Sequence, residues 1–447
     1  MATFLTRQGW KLSRYLLTAE LPTGDLRVFS TLWKSVVDLD HRHQNLLFGE
    51  TSSATPEELE NLRALKDLGI IVDADVDEGE LAVERINCWT QPDQLSIIYC
   101  LTLACNFACV YCVQKGTSPE PTHSAEMTAG VRKQAVDFTF RMLDQLSLSK
   151  LDVTFFGGEP LLNYDGVLDI LAQIELLKRK RALTHICCGI VSNGSLLDIG
   201  RLRLLKSMGV TDLQLTVDGL PETHNLRRKS AHGSWGKIWE TIIFATDLGM
   251  HVVINVVVDV ENMDEVLQFI DIVDRIAAGN PQVKAKSSFV FGLLIPTLAT
   301  YGRCQQVLFG QEARIFDKII DCYIYAQKHG WEVFHMLLQV ISSHESPYSF
   351  IIGPAGDLYK CFSTIGNPKY SIGSIWDQPD DIIKRSRQFT DRHAWDAECL
   401  ACPIFPLCRG GCQAIASLSH NGEFGHKLCE RTFRIFGLKR ALAEGVF

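Results

Sequence analysis

The stretch LSIIYCLTLACNFACVYC, residues 95–112, decides the fold. It begins as an apolar, β-branched run with the composition of a buried strand and ends in three clustered thiols, Cys105, Cys109 and Cys112. Strands of this kind need partners, and the chain supplies five more: LDVTFF (151–156), HICCGIV (185–191), DLQLTV (212–217), HVVINVVV (251–258) and SSFVFGLLI (287–295). Between them lie stretches with apolar residues at helical spacing, among them MTAGVRKQAVDFTFRMLDQL, YDGVLDILAQIELLKRKRA and NMDEVLQFIDIVDRIA. Alternating strands and helices predict a parallel sheet. Six units are too few to close an eight-stranded barrel, so the predicted α/β core is a partial (βα)6 TIM-like barrel. In such sheets chemistry collects at the carboxyl ends of the strands. Those ends carry ACNFACVYC, GGEP, SNG and DG.

Composition narrows the classes. The 447 residues are 46% hydrophobic and 21% charged, which suits a folded chain of two or three domains. A formal net charge of -8 argues against a large basic surface, so no nucleic-acid partner is expected. Gln8, Lys11 and Arg14 interrupt the N-terminal apolar residues, and Asn255 and Asp259 break the most apolar run, so neither an export signal nor a membrane span is expected. Fifteen cysteines without an export signal point to metal or catalytic thiolates in a cytoplasmic protein rather than to disulfides.

Two regions leave the βα rhythm. Residues 1–90 predict strands around Pro22-Thr23-Gly24, then a helix capped by Thr55 and Glu58, together a small winged-helix-like module. Residues 91–300 form the expected barrel core and 301–349 a bridging helical segment. Residues 350–447, dense in Cys, Gly and Pro, form a cysteine-rich domain in which metal sites replace part of an apolar core.

Three thiolates in C-x3-C-x2-C spacing can bind three irons of a cubane cluster and leave the fourth without a protein ligand, as catalytic metal sites keep an open position. A three-thiolate zinc site is the rival. Neighbouring motifs weigh on the choice, because residues 95–300 resemble the radical S-adenosylmethionine (SAM) superfamily. CNFACVYC is similar to that family's cysteine loop, FFGGEP to its GGEP segment, VSNGSLL to a cofactor loop, and LTVDGLPETHNLRR to its S-[IL]-D-G-x4-H-x3-R segment with Thr in place of Ser. The resemblance implies a SAM-binding 4Fe-4S cluster on Cys105, Cys109 and Cys112. It places Tyr111 near the adenine, Gly157, Gly158 and Glu159 at the SAM ammonium, and Ser192 and Asn193 at the cofactor. Thr216 would lie near the ribose and Arg228 near the carboxylate. The implied reaction is reductive cleavage of SAM to a 5'-deoxyadenosyl radical that abstracts hydrogen from an unactivated carbon. Read alone, Arg228 with Arg227 and Lys229 is a solvated basic edge.

The tail carries GDLYKC, CLACPIFPLCRGGC and KLC. This resembles the SPASM extension of peptide-modifying radical SAM enzymes. It implies one auxiliary 4Fe-4S cluster on Cys399, Cys402, Cys408 and Cys429. A second would use Cys361 and Cys412 with upstream cysteines that are missing, so this site is expected to be incomplete; His344, Cys304 and Cys322 are remote substitutes. A zinc ribbon is the alternative for the tail. Cys88, Cys100, Cys187, Cys188, Cys304 and Cys322 read as small buried hydrophobes, and His185, His251 and His335 as core or surface histidines.

A SPASM tail with a strand-helix N-terminal module resembles maturases of ribosomally made peptides. Residues 1–90 would then recognise the precursor's leader by strand addition, and a flavodoxin or ferredoxin would donate electrons. The alternative is an anaerobic sulfatase maturase, which carries an Asp where this chain has Phe362; a non-catalytic iron-sulfur or zinc protein is a further one.

Overall fold

The computed structural model describes residues 4–49, 53–89, 93–114, 126–179, 183–294, 311–334, 346–390, 395–412, 429 and 431–446. Cys304, His335 and His344 lie outside the described residues.

The N-terminal strands are Trp10–Leu12 (β1), Leu16–Glu20 (β2), Leu26–Ser30 (β3), Ser35–Leu39 (β4) and Ile71–Asp73 (β5). β2, β3 and β4 form an antiparallel sheet, turned through Pro22-Thr23-Gly24, while β1 pairs with β5. The helix Pro56–Asp67 starts at the expected capping box: Thr55 Oγ1 accepts from the Glu58 amide at 3.2 Å, and the Thr55 amide donates to the Glu58 carboxylate at 2.7 Å. Val28, Leu39, Leu62, Leu65 and Ile71 belong to a small core of the module's own. Tyr15, Leu17, Phe29 and Leu32 instead join the main core, so the other face of the module packs on the rest of the protein.

All six expected core strands form: Leu95–Cys100 (β6), Lys150–Phe156 (β7), His185–Ser192 (β8), Asp212–Thr216 (β9), His251–Val258 (β10) and Ser287–Leu293 (β11). They are parallel, and each pairs with its sequence neighbour. Two further parallel strands extend the sheet, Glu332–Val333 (β12) beside β11 and Ser349–Ile352 (β13) beside β6. Eight parallel strands still leave the sheet open, because β13 continues into the antiparallel strands Asp357–Tyr359 (β14) and Gly373–Ser374 (β15). The sheet therefore crosses the boundary drawn at residue 350. Tail strands this short gain more by extending an existing edge than by starting a sheet of their own.

Alternation along the strands shows how the sheet is used. In β10, Val252, Ile254, Val256 and Val258 are buried, while His251, Val253, Asn255 and Val257 are half-buried. Helices seal the first face; Trp235–Asp247 packs on β10 and Glu312–Lys328 on β11. The second face is half-buried along β7 and β10. Among the described residues no helix is long and apolar enough to cross a membrane.

Candidate functional site: a three-thiol loop and a separate four-thiol cavity

Because β6, β7, β8 and β9 lie side by side and parallel, the loops that leave their carboxyl ends are neighbours. Residues 102–112 follow β6, Gly157-Gly158-Glu159 follow β7, Ser192-Asn193-Gly194 close β8, and Thr216 ends β9 with Asp218 just beyond it.

The two glycines make a close backbone contact that the sequence by itself does not show. A Cβ on Gly157 would stand 2.3 Å from the Thr102 carbonyl oxygen, and one on Gly158 would stand 2.1 Å from that of Ala104. The amides of Gly158 and Glu159 donate to these two oxygens at 2.9 Å each. Only glycine fits, and at Gly157 the φ of +143° adds a second reason. The glycine pair thus brings the GGEP loop against the chain entering the thiol loop.

Glu159 is fully buried. Its carboxylate accepts from Ser192 Oγ at 2.9 Å, the Asn193 amide at 2.8 Å and the Leu161 amide at 3.1 Å. Burial raises its pKa, and these donors oppose the rise. In this geometry Glu159 ties the loop after β7 to the loop after β8. Asn193 extends the tie: its Nδ2 donates to Asn106 Oδ1 at 2.8 Å and lies 3.9 Å from Cys105 Sγ. The residues expected to meet the cofactor are therefore brought together around Cys105. Thr216 joins the same face through Asn255 Nδ2, 3.2 Å from its hydroxyl.

On the other side of the loop, Arg227 and Arg228 are not the solvated basic edge that they suggest when read alone. Arg227 is 1% and Arg228 8% exposed. Arg227 donates to Asp259 Oδ1 at 2.7 Å, Glu261 Oε2 at 3.2 Å and the Val257 carbonyl at 3.1 Å, and it lies 3.8 Å from Asp218. Its guanidinium covers the Tyr111 ring at 5.0 Å. The Tyr111 hydroxyl donates to Asp218 and accepts from Arg228 Nη1 at 3.0 Å. Tyr111 is thus built into a buried charge network. Backbone bonds from Val110 to Arg227 O and from Ala108 to Lys229 O complete the clamp. Asp218, Arg227, Asp259 and Glu261 were missed by sequence reasoning. The available signal was an Asp just past each of two adjacent strands.

The donor set fits an iron-sulfur cluster with SAM. Cys105 is exposed, Cys112 half-buried and Cys109 buried, so the thiols lie along a loop that runs from surface to interior. Burial pushes the Cys109 thiol up to about 11, while Arg228 favours its thiolate. The Arg228 guanidinium has a buried Nε with no hydrogen-bond partner among the described residues. A cation left partly unsatisfied beside thiols suits an anionic ligand. Among the described residues no three His, Cys, Asp or Glu side chains are gathered as tightly as a single ion needs. A cube that spreads its thiolates over separate irons does not require such convergence.

The tail presents a second site. Cys399, Cys402, Cys408 and Cys429 line one cavity, with Phe405 and Arg431 among its other walls. The cavity encloses about 400 Å³, including space open to solvent. Asp396 caps the short helix Ala397–Leu400 by accepting from the Cys399 amide at 2.8 Å. Arg409, Gly410 and Gly411 then turn the chain through three successive left-handed residues. Cys361 and Cys412 are not among the lining residues. Cys361 lies 3.1 Å from Ser363 Oγ, and Phe362 packs on Phe156 at 4.8 Å, next to Gly157. Of the cysteines read as buried hydrophobes, Cys100, Cys188 and Cys322 are buried. Cys88 is exposed, and Cys187 is half-buried with its thiol 3.4 Å from Asp212. His251 pairs with the same carboxylate at 3.2 Å.

His224 gives the clamp a pH dependence. It is fully buried; its Nδ1 accepts from the Asp218 amide at 3.2 Å and its Nε2 faces Ser234 Oγ at 2.9 Å. Burial, reinforced by Arg228 and Arg227, lowers its pKa to about 3. An unfolded histidine, near 6.5, takes up a proton first, so stability rises with pH between these values and is lost on acidification. At pH 5 the expected loss from this group is about 2 kcal/mol. His224→Gln should flatten the slope of denaturant stability between pH 7 and pH 5, and an unchanged slope would refute this account.

Comparison with known proteins agrees with this geometry. Residues 99–273 match the family model of the radical SAM superfamily, so this chain carries a radical SAM domain, whose cofactors are a 4Fe-4S cluster and SAM. The chain is 26% identical over 170 residues to a GTP 3',8-cyclase of Aquifex aeolicus, covering 37% of this chain and 49% of that one. It is 34% identical over 123 residues to a GTP 3',8-cyclase of Synechococcus elongatus, covering 27% and 33%. The chain thus spans half or less of the length of these curated relatives. Among solved structures, native anSMEcpe with bound AdoMet and the Cp18Cys peptide superposes with a TM-score of 0.60 at 20% identity, covering 79% of this chain and 99% of that one. Streptococcus suis SuiB bound to the precursor peptide SuiA gives 0.53 at 14% identity, covering 91% and 96%. These likenesses speak for the fold.

Proposed function

We propose that this radical SAM enzyme modifies a ribosomally made peptide, abstracting hydrogen from a residue of the peptide to install a crosslink, thioether, epimer or excision. The observation that carries this reading is the coexistence of the three-thiol loop with a separate four-thiol cavity and a small antiparallel module on one chain. Two structural neighbours of the same fold hold peptides, and their likeness extends beyond the radical SAM domain, whereas the cyclase relatives match only a part of this chain.

Cys105, Cys109 and Cys112 would hold the SAM-binding cluster, and Cys399, Cys402, Cys408 and Cys429 an auxiliary one. When bound, the first cluster and SAM supply a 5'-deoxyadenosyl radical. The chain's own residues position and enclose. Arg228 is the cation for the SAM carboxylate, held in place by the Tyr111 hydroxyl. Glu159, Ser192 and Asn193 form a polar wall around Cys105, and Thr216 with Asn255 continues it toward the ribose. Phe362, packed on Phe156, stands where a sulfatase maturase carries its acidic group, which favours the peptide maturase reading. The precursor leader would add as a strand beside β4, an edge strand of the module's sheet among the described residues, and a flavodoxin or ferredoxin would supply electrons.

The test is anaerobic co-expression with short precursors encoded beside the gene, read by mass spectrometry. A loss of about 2 Da marks a crosslink, an unchanged mass with a D-residue an epimer, and a larger loss excision. Turnover of GTP with no peptide modified would overturn the proposal in favour of the cyclase relatives' substrate.

A further inference from the structure

The N-terminal module touches the loop that carries three of the four tail cysteines. Tyr15, which follows β1 and is fully buried, donates from its hydroxyl to the Leu400 carbonyl at 2.8 Å. Thr31, which follows β3 and is also fully buried, donates from Oγ1 to the Pro403 carbonyl at 2.6 Å. These two carbonyls flank Cys402. Tyr15 and Thr31 are themselves joined, since the Thr31 amide donates to the Tyr15 carbonyl at 2.9 Å. The Tyr15 ring lies 6.4 Å from that of Phe405, a wall of the four-thiol cavity. Gly79 meets the Leu400 side chain from the same module: a Cβ there would stand 3.8 Å from it.

A loop bearing thiolates must hold them apart at fixed positions before it can retain a cluster, and a short segment with few contacts of its own holds them poorly. Here two buried hydroxyls from a distant part of the sequence set the carbonyl directions on both sides of Cys402.

We infer that the N-terminal module is one wall of the auxiliary site: Tyr15 and Thr31 are positioning residues that hold the Cys399–Cys408 loop ready for a cluster, so module docking and cluster retention are coupled. This rests on the reading that Cys399, Cys402, Cys408 and Cys429 hold an iron-sulfur cluster. Coupling of this kind is reciprocal: what steadies the module slows cluster loss, and the loaded cluster steadies the module.

The experiment uses the full chain with Cys105, Cys109 and Cys112 replaced by Ala, so that only the tail cluster remains. Iron release from this parent to a ferrous chelator is timed, and the electron paramagnetic resonance signal of the reduced cluster is recorded. Tyr15→Phe combined with Thr31→Val, which keeps both shapes and removes both hydroxyls, should speed release by about ten-fold and broaden the signal. Restoring a hydroxyl through Thr31→Ser should recover about half of the loss on a logarithmic scale. A second measurement needs no change at these positions: amide exchange across residues 16–30 should slow when the parent is loaded, and not in its Cys429→Ala derivative. Release within about two-fold of the parent, with amide exchange indifferent to loading, would overturn the clamp while leaving the cluster assignment standing. A parent that holds no iron dependent on the four cysteines would overturn the assignment, and the clamp with it.

Discussion

Replacing Cys109 by Ala should abolish formation of 5'-deoxyadenosine. Cys109 is the buried member of the three-thiol loop, and Arg228 is the cation that most favours its thiolate. Without it two thiolates remain for a cube that needs three, and the Arg228 charge loses a sulfur partner inside the protein. The expected fall is at least about a thousand-fold, because the effect falls on the presence of the cofactor rather than on its tuning. The measurement is chromatographic detection of 5'-deoxyadenosine under dithionite in anaerobic buffer. Iron content should drop by one cluster while the tail cluster stays. Turnover comparable to the parent would remove Cys109 from the site and the radical reaction from this loop.

Arg227→Leu carries the largest expected effect on stability. Arg227 is among the largest fully buried side chains, and its charge answers Asp218 and Asp259, each 0% exposed. Removing it strands two carboxylates in the interior. Breaking a buried pair in this way costs about 3–5 kcal/mol, against about 0.5 kcal/mol for a solvated basic edge. Denaturant unfolding followed by circular dichroism separates the two magnitudes. Arg227→Lys keeps the charge but loses the fork that spans Asp259, Glu261 and the Val257 carbonyl, so an intermediate loss is expected. A loss below about 1 kcal/mol for the Leu variant would mean that the network is not what holds residues 107–111 in place.

The contrast between Arg227 and Cys109 shows what kind of information a sequence carries. Three thiols within eight positions announce themselves, because the spacing of ligands along a loop is a local property. Arg227 stands between Leu226 and Arg228, and nothing within that segment distinguishes a solvated face from a buried one. Its partners lie beyond β9 and beyond β10, and they meet it only because those strands pair in parallel. Gly157 and Gly158 fall between these cases. The need for glycine was legible, whereas its cause, the Thr102 and Ala104 carbonyls of the adjacent loop, required the packed sheet.

By itself the sequence determined the six core strands, the capped helix at Thr55, the loops at the strand ends and the four tail cysteines as candidates. Each follows from short-range periodicity, capping chemistry or ligand spacing. Only the tertiary structure decided that β13 extends the sheet across residue 350, that two arginines are buried, and that Cys361 and Cys412 stay outside the cavity lined by the other four tail cysteines. It alone put Tyr15 and Thr31 against the loop around Cys402. The physical reason is common to all of these: burial and charge pairing are energies between distant segments, and they come into being only when the chain has folded.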